Sequence, residues 1–331
     1  MVCDWPARAR ILADPAAVRK SFIPMRERQS ARSSGARALR TIRDLVRWGA
    51  SEFGRARLHF GHGSDNALDE AFHLVTWALK LPHELPKQYF DAQLTAPERA
   101  RVLKLLRARA RTRKPAAYLT GEAWFAGLPF EVDERVLIPR SPIAELIQGH
   151  FRPWLRAEPR RILDLCAGSG CIAVACAMAF PEAVVDAVEL DAGALRVLKR
   201  NLARHGLEGR IEAVRSDLFA QLKGRKYGLI VSNPPYVPTA RWKKMPKEYQ
   251  HEPKLALEAG KDGMEIVGRI LREAPAYLED DGLLVCEVGG SVPEFNRRFP
   301  KIPVIWPEFE HGGDGVFVIS RDDLVEWLGE P

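Results

Sequence analysis

From Arg161 onward the chain alternates short β-type runs with longer helical patterns, and few architectures accept that order. RILDLC is followed by a helical stretch from Ile172 to Phe180, and AVVDAVEL by another from Ala192 to His205. IEAVRSD, YGLIVSN, a helical stretch from Met264 to Tyr277, GLLVCEVG and GVFVIS complete the series. A strand that returns through a helix lies parallel to its predecessor, so the pattern predicts an α/β fold: a mostly parallel sheet covered by helices on both faces. In such sheets ligands bind at the carboxyl ends of the strands.

The segments before Arg161 have a different texture. Residues 1–36 are rich in Arg, Ser, Ala and Pro and read as a flexible basic arm, with Met25 a second candidate start; an Arg-rich, acid-poor leader also fits a mitochondrial targeting segment. Helical spacing follows at Leu39 to Phe53, through Leu39, Ile42, Leu45, Val46 and Trp48. Asn66 to Leu81 repeats it through Leu68, Phe72, Val75 and Leu79, with Asn66 and Asp69 as a helix-start signal. A third helix, Pro97 to Arg111, places Val102, Leu105 and Leu106 inside. GEAWFAGLPFEVDERVLIPR, residues 121–140, then reads as a hairpin about Gly127-Leu128-Pro129. The expected division is an arm at 1–36, a helical substrate-recognition domain at 37–118, a β-hairpin linker at 119–141 and the sheet domain at 142–331.

No apolar stretch approaches the roughly 18 residues that a membrane helix needs, so a soluble, cytoplasmic protein is expected. Cys166, Cys171 and Cys176 lie five apart, which matches no zinc pattern, and they read as small buried residues in a reducing compartment; no metal is expected. Charge is uneven. Residues 1–120 hold 23 Lys and Arg against 11 Asp and Glu, and the remainder 27 against 32, which suggests two domains with different partners.

Asp164-Leu-Cys-Ala-Gly-Ser-Gly170 ends the first strand of the series and opens a helix. Gly168 and Gly170 permit a tight turn and close backbone approach to a ligand, beside the free N–H groups of the helix start. GSGCIA alone also satisfies a dinucleotide fingerprint. Three acids tip the balance. Asp164 stands at a strand tip where a pyrophosphate would be repelled and the ammonium of S-adenosylmethionine attracted. Glu189 ends the next strand, where a carboxylate can accept from both ribose hydroxyls. Asp217, after the third strand, is placed to accept from the exocyclic amine of adenine. Such a rim suits a cationic nucleoside better than an anionic dinucleotide.

Ser232-Asn-Pro-Pro-Tyr236 follows the fourth strand at the same rim. An amide or aryl amine delocalises its lone pair and becomes a nucleophile only when held correctly. The Asn233 side-chain oxygen can accept one N–H of such a group. The Pro234 carbonyl, left free because Pro235 has no N–H, can accept the second. Tyr236 offers a flat face to a planar group, and no general base is needed before attack.

These motifs resemble the class I, Rossmann-like S-adenosylmethionine-dependent methyltransferases, and within them the HemK/PrmB family of protein glutamine N-methyltransferases. The resemblance runs from about Leu39 to Ser320 and is carried by VLIPRSPIAELI, DLCAGSG, SDLF, SNPPYV, EYQHEPKLALEAGKDG and FEHGGDGVFVIS. It implies a seven-stranded sheet, S-adenosylmethionine as cofactor, and Asn233, Pro234 and Tyr236 around a glutamine amide. Asp164, Cys166, Gly168, Gly170, Glu189, Asp217 and Asn233 would contact the cofactor, and Pro235 and Arg140 the substrate. Cys166 stands where the wider family has its first glycine. Ile138-Pro139-Arg140 continues as SPIAE rather than PDTE, which with GHGSDNALDEA and HGGDGVF resembles the branch acting on the large-subunit ribosomal protein L-three rather than on release factors.

Three rivals stand beside that expectation: release-factor glutamine transfer; methylation of a nucleic-acid amino group, because the same loop serves adenine N6 chemistry; and a binding module that retained the fold but lost catalysis, against which the intact SNPPY argues. Residues 98–114 carry eight cations. Such a run reads either as a solvated face or as a contact to ribosomal RNA, the latter making a large-subunit assembly intermediate the expected partner.

Overall fold

The computed structural model describes residues 39–82, 84–310 and 312–329; the expectations for the N-terminal arm lie outside them. Three helices open the described chain: α1 (Ile42–Ala56), α2 (Ala67–Leu79) and α3 (Ala96–Thr112), followed by the short α4 (Ala116–Thr120). Each of the long helices starts on a side-chain cap. Thr41 and Asp44 form a reciprocal box, Asn66 accepts from the amides of Leu68 and Asp69, and Thr95 pairs with Glu98. Their apolar faces form a separate core around Leu45, Phe53, Leu74, Val102 and Leu106. The buried face of α2 is Ala71, Leu74 and Val75, one step round from the expected Leu68-Phe72-Val75-Leu79 stripe, and Leu68 is exposed. Similarly, α3 buries Val102, Leu103, Leu106 and Arg109, leaving Leu105 partly covered.

The hairpin, β1 (Glu122–Phe125) and β2 (Leu128–Glu131), turns through Ala126 and Gly127, both at positive φ. After α5 (Ile143–Gln148) comes the main sheet: β3 (Arg161–Leu165), α6 (Cys171–Ala179), β4 (Val184–Glu189), α7 (Ala192–His205), β5 (Ile211–Arg215) and β6 (Tyr227–Ser232). α8 (Glu265–Glu273), β7 (Leu278–Glu287), α9 (Val292–Arg298), β8 (Val316–Ser320) and α10 (Arg321–Gly329) complete it. The strand order is β5-β4-β3-β6-β7-β8, parallel throughout except for β8. Alternate strand residues feed two cores. Ile162, Val185, Leu229 and Val285 face one side with Phe130, Ile143 and Ile172, while Leu163, Val188, Ile230 and Leu284 face the other with Val267, Ile270 and Phe295.

The sheet has six strands among the described residues, against seven expected. The place of the seventh is held by one bridge, in which Ile305 and Val318 exchange backbone hydrogen bonds of 2.9 and 2.8 Å. Pro303 and Pro307 flank Ile305 and carry no N–H, so the ladder cannot extend either way. Among the described residues no helix is long and apolar enough to cross a membrane.

Order reverses at β3: the chain runs outward through β4 and β5, then returns to pair β6 on the other side. Leu165 lies level with both Val188 and Ser232, so the loops after β3, β4 and β6 leave the sheet side by side. That crevice is where a parallel sheet of this type opens for a ligand.

Candidate active site

A cleft of about 250 Å³ occupies the crevice and is lined by Cys166, Gly168, Glu189, Asp217, Asn233, Pro235 and Arg140 among others. Seven residues singled out from sequence thus share one chamber. Asp164, Gly170, Pro234 and Tyr236 lie outside the lining, each within two residues of a position that belongs to it.

The loop after β3 is built from left-handed backbone. Cys166 has φ +61°, Gly168 +55° and Gly170 +80°. Cys166 therefore holds a conformation that a glycine would adopt without strain. At Gly168 a side chain would meet no atom within 4 Å, whereas at Gly170 its Cβ would come within 2.9 Å of Leu198 Cγ. Gly168 leaves room for a ligand; Gly170 lets α6 pack on α7.

Glu189 clamps this loop to the next. Its Oε2 accepts from the Gly168 amide at 2.9 Å and its Oε1 from the Asp191 amide at 2.8 Å. Burial raises its pKa, while these amides oppose the rise. Asp164 is fully buried; Oδ2 accepts from the Ala173 amide in the first turn of α6 at 3.0 Å, and Oδ1 has no partner. Loss of solvent pushes its pKa up to about 8, with neighbouring Glu189 adding to the rise. Asp217 is half exposed and its Oδ1 pairs with Arg269 at 2.9 Å. The lining carries the carboxylates of Glu189, Asp191 and Asp217, and Asp164, outside the lining, has an orphaned buried oxygen. An acid-rich donor set with glycine-made space fits a cationic nucleoside and opposes a pyrophosphate.

Past β6, the Ser232 hydroxyl donates to the Leu165 carbonyl at 2.8 Å and locks the two strand ends together. Asn233 is half-buried in the cleft, and neither its side-chain amide nor the carbonyl of buried Pro234 has a hydrogen-bond partner among the described residues. Two free acceptors on a proline-stiffened turn are poised for an external N–H2. Tyr236 turns away from the lining: its hydroxyl donates to Glu287 Oε1 at 2.8 Å and its ring packs against Gly289.

Arg140 lines the cleft while donating to both oxygens of Glu252, at 2.6 and 2.8 Å, and lying over the Tyr249 ring. Burial disfavours ionised Glu252, but Arg140 and His62 more than offset this and hold its carboxyl at about 2. Glu248, four residues earlier, accepts from the His59 amide and pairs with Arg113 at 2.7 Å. Glu248, Glu252, His62, Ser141 and Glu287 carried no role in the sequence. Their partners lie up to 189 residues away along the chain, beyond any local pattern, although EYQHEP had marked two of them as part of the resemblance. Among the described residues no group of three His, Cys, Asp or Glu could hold a metal, and the four described cysteines are unpaired.

Known proteins place this geometry. The family model described as "Methyltransferase small domain" matches residues 149–247. The chain is 49% identical over 294 residues to the ribosomal protein uL3 glutamine methyltransferase of Xanthomonas campestris pv. campestris, covering 88% of this chain and 95% of that protein. The Francisella tularensis subsp. tularensis protein of the same name is 45% identical, covering 87% and 93%. Among solved structures, the hMettl16 catalytic domain in complex with an RNA hairpin superposes with a TM-score of 0.50 at 19% identity, over 75% of this chain and 91% of that one, a likeness of fold. With a Rossmann-like sheet, an acid-rimmed cleft at its switch point, and near-full-length identity approaching one half, this chain belongs to the family of the ribosomal protein uL3 glutamine methyltransferases.

Proposed function

We propose that the enzyme methylates the side-chain amide nitrogen of a glutamine in large-subunit ribosomal protein uL3. The observation that carries the reading is the pair of unpartnered acceptors, Asn233 Oδ1 and the Pro234 carbonyl, on a rigid turn beside the acid-lined cleft. Bound in the cleft, S-adenosylmethionine would supply an electrophilic methyl on a cationic sulfur, with the neutral thioether as leaving group. The two acceptors take the two amide hydrogens, fix the plane of the group and draw its lone pair toward the incoming methyl. The surplus proton passes from the methylated amide to solvent water afterwards, so no base is required before attack.

For the cofactor, Asp164 Oδ1 is the partner offered to an ammonium, either directly or through water. Each Glu189 oxygen keeps a lone pair for a ribose hydroxyl after taking its backbone N–H, and Asp217 meets the adenine amine. Cys166, Gly168 and Gly170 shape the backbone around them, and Pro235 and Arg140 border the acceptor side. Asn233→Ala should lower kcat by about 10² to 10³ while donor affinity by calorimetry stays within about twofold. A fully active variant refutes the clamp.

The substrate form is proposed to be a large-subunit assembly intermediate rather than free uL3. Of the eight cations in residues 98–114, Arg109 is buried against Glu70, Arg113 is held by Glu248 and Lys114 pairs with Glu134. Arg101, Lys104, Arg107 and Arg111 remain exposed at spacings of three to four residues, on one face of α3. Residues 239–261 repeat the pattern: Glu248 and Glu252 point inward, while Arg241, Lys243, Lys244, Lys247, Lys254 and Lys261 are exposed. The His251 ring contacts the Thr112 carbonyl at 3.1 Å, so the loop adjoins the end of α3. Two adjoining surfaces with acids inside and cations outside suit ribosomal RNA phosphates. Methylation should be faster on assembly particles than on purified uL3, and should fall with salt on the particles. Equal, salt-insensitive rates on both would defeat this part of the reading.

A further inference from the structure

Glu287 ends β7 at 5% exposure, and its two oxygens serve two different parts of the acceptor side. Oε1 accepts from the Tyr236 hydroxyl at 2.8 Å, and Oε2 accepts from the Ser141 hydroxyl, whose oxygen in turn accepts from the Ile143 amide at 3.2 Å. Ser141 belongs to the linker wall of the cleft, and Tyr236 directly follows Pro235, which lines the cleft from the catalytic loop. Tyr236 is confined on every other side. Its carbonyl accepts from Ser291 Oγ at 3.0 Å. A Cβ at Gly289 would lie 2.7 Å from its hydroxyl, and one at Gly263 would strike its carbonyl. Gly289 is held in turn by Gly315, whose carbonyl accepts from the amides of Val288 and Gly289. Gly263, Gly289 and Gly315 all have positive φ, so the GKDG, VGG and GGDG stretches form a cradle that no larger residue could complete.

We infer that Glu287 is a positioning residue for methyl transfer: it ties the linker wall to the end of the catalytic loop and thereby sets where Asn233 and Pro234 hold the acceptor amide. The inference rests on the clamp reading of those two residues. With the hydroxyls of Ser141 and Tyr236 both donating, the carboxylate has one acceptor for each, and an amide in its place has only one. Glu287→Gln therefore loosens one of the two ties without changing size, and Tyr236→Phe removes the tie to the catalytic loop, so either change breaks the one link that runs from the linker through Glu287 to the loop.

The test combines kcat, donor affinity by calorimetry, and the side-chain amide resonance of Asn233 in Glu287→Gln, Tyr236→Phe and the double variant. Each single change should lower kcat about 10- to 100-fold with donor Kd within twofold. The double should be no slower than the worse single, because both cut one link. The Asn233 resonance should move in both singles. Unchanged kcat in Glu287→Gln, multiplying losses, donor Kd weakening in step with kcat, or an unmoved resonance would each overturn the role. Failure of the wild-type enzyme to methylate uL3 would count against the substrate reading instead, since the resonance reports on Glu287 without any substrate.

Discussion

Asp164 is the carboxyl at which the fold and the proposed cofactor site meet. It is buried at a strand tip with one oxygen unpartnered, and loss of solvent pushes its pKa up to about 8, toward the protonated form. A cation that binds beside it favours the ionised form, so cofactor binding should release a proton. Donor affinity should rise about tenfold per pH unit from pH 6 toward 8 and then level off, and Asp164→Asn should flatten that slope; calorimetry in buffers of differing ionisation enthalpy reads both. The positions of Asp164, Glu189 and Asp217 were legible because each lies at or just past the end of a β-type run. Their depth was not, since burial comes from helices laid over the sheet. Gly170 was legible as a turn residue, but its packing reason, Leu198 on α7, was not. Gly170→Ala combines positive φ with that contact and should destabilise the fold by about 1–3 kcal/mol in urea unfolding.

Among the elements, α3 has the least expected construction. Its helical pattern and basic content were readable, whereas the fate of Arg109 was not: the guanidinium is fully buried, 2.7 Å from Glu70, and also donates to the carbonyls of Arg113 and His59. A clue lay in the spacing, because Arg109 continues the stripe of Val102 and Leu106 at helical intervals. Arg109→Ala leaves Glu70 buried and unpaired and should cost about 3–5 kcal/mol by urea unfolding. Reversing Arg101, Lys104 and Arg107 to Glu should leave donor affinity unchanged and slow transfer to assembly particles. If the four exposed cations of this face each meet a phosphate, particle affinity should fall roughly a hundredfold between 50 and 200 mM salt. The absent ladder at Ile305 was also written in the chain, in the prolines two positions either side, yet a resemblance to a seven-stranded family obscured it.

At the scale of the molecule, residues 248–252 hold the helical layer against the sheet domain. Glu248 reaches His59 and Arg113, and Glu252 reaches Arg140, the Ile138 amide and, at 3.3 Å, His62. Both carboxylates are fully buried, so removing one partner exposes the full cost of desolvation. The folded pKa of Glu252 lies near 2, below its ordinary 4.5, so its contribution is complete above about pH 4.5 and disappears as pH falls toward 2. Burial lowers the pKa of His62 below its ordinary 6.5, so protonation of the unfolded chain weakens the fold from about that pH downward. Both act in one direction, against Asp164, whose raised pKa favours the fold as pH falls from about 8 toward 4, so the contribution of Glu252 is read as a difference: the stability advantage of wild type over Glu252→Gln should shrink as pH falls from 4.5 toward 2 in pH-dependent urea unfolding. Alternation of strands and helices revealed the sheet, and the loop signatures revealed the cleft, because both depend on neighbours in sequence. The seam between the helical layer and the sheet depends on contacts across 112 to 189 residues and had no local signal.

The enzyme's assignment meets its sharpest test in where the methyl goes. Wild-type protein and Asn233→Ala, each incubated with labelled S-adenosylmethionine and ribosomal fractions from cells lacking this enzyme, should differ in one labelled peptide mapped by mass spectrometry. The result expected is a methyl on the side-chain nitrogen of a uL3 glutamine with wild-type protein and its absence with the variant; label on ribosomal RNA, on a release factor, or on uL3 with both proteins alike would contradict it.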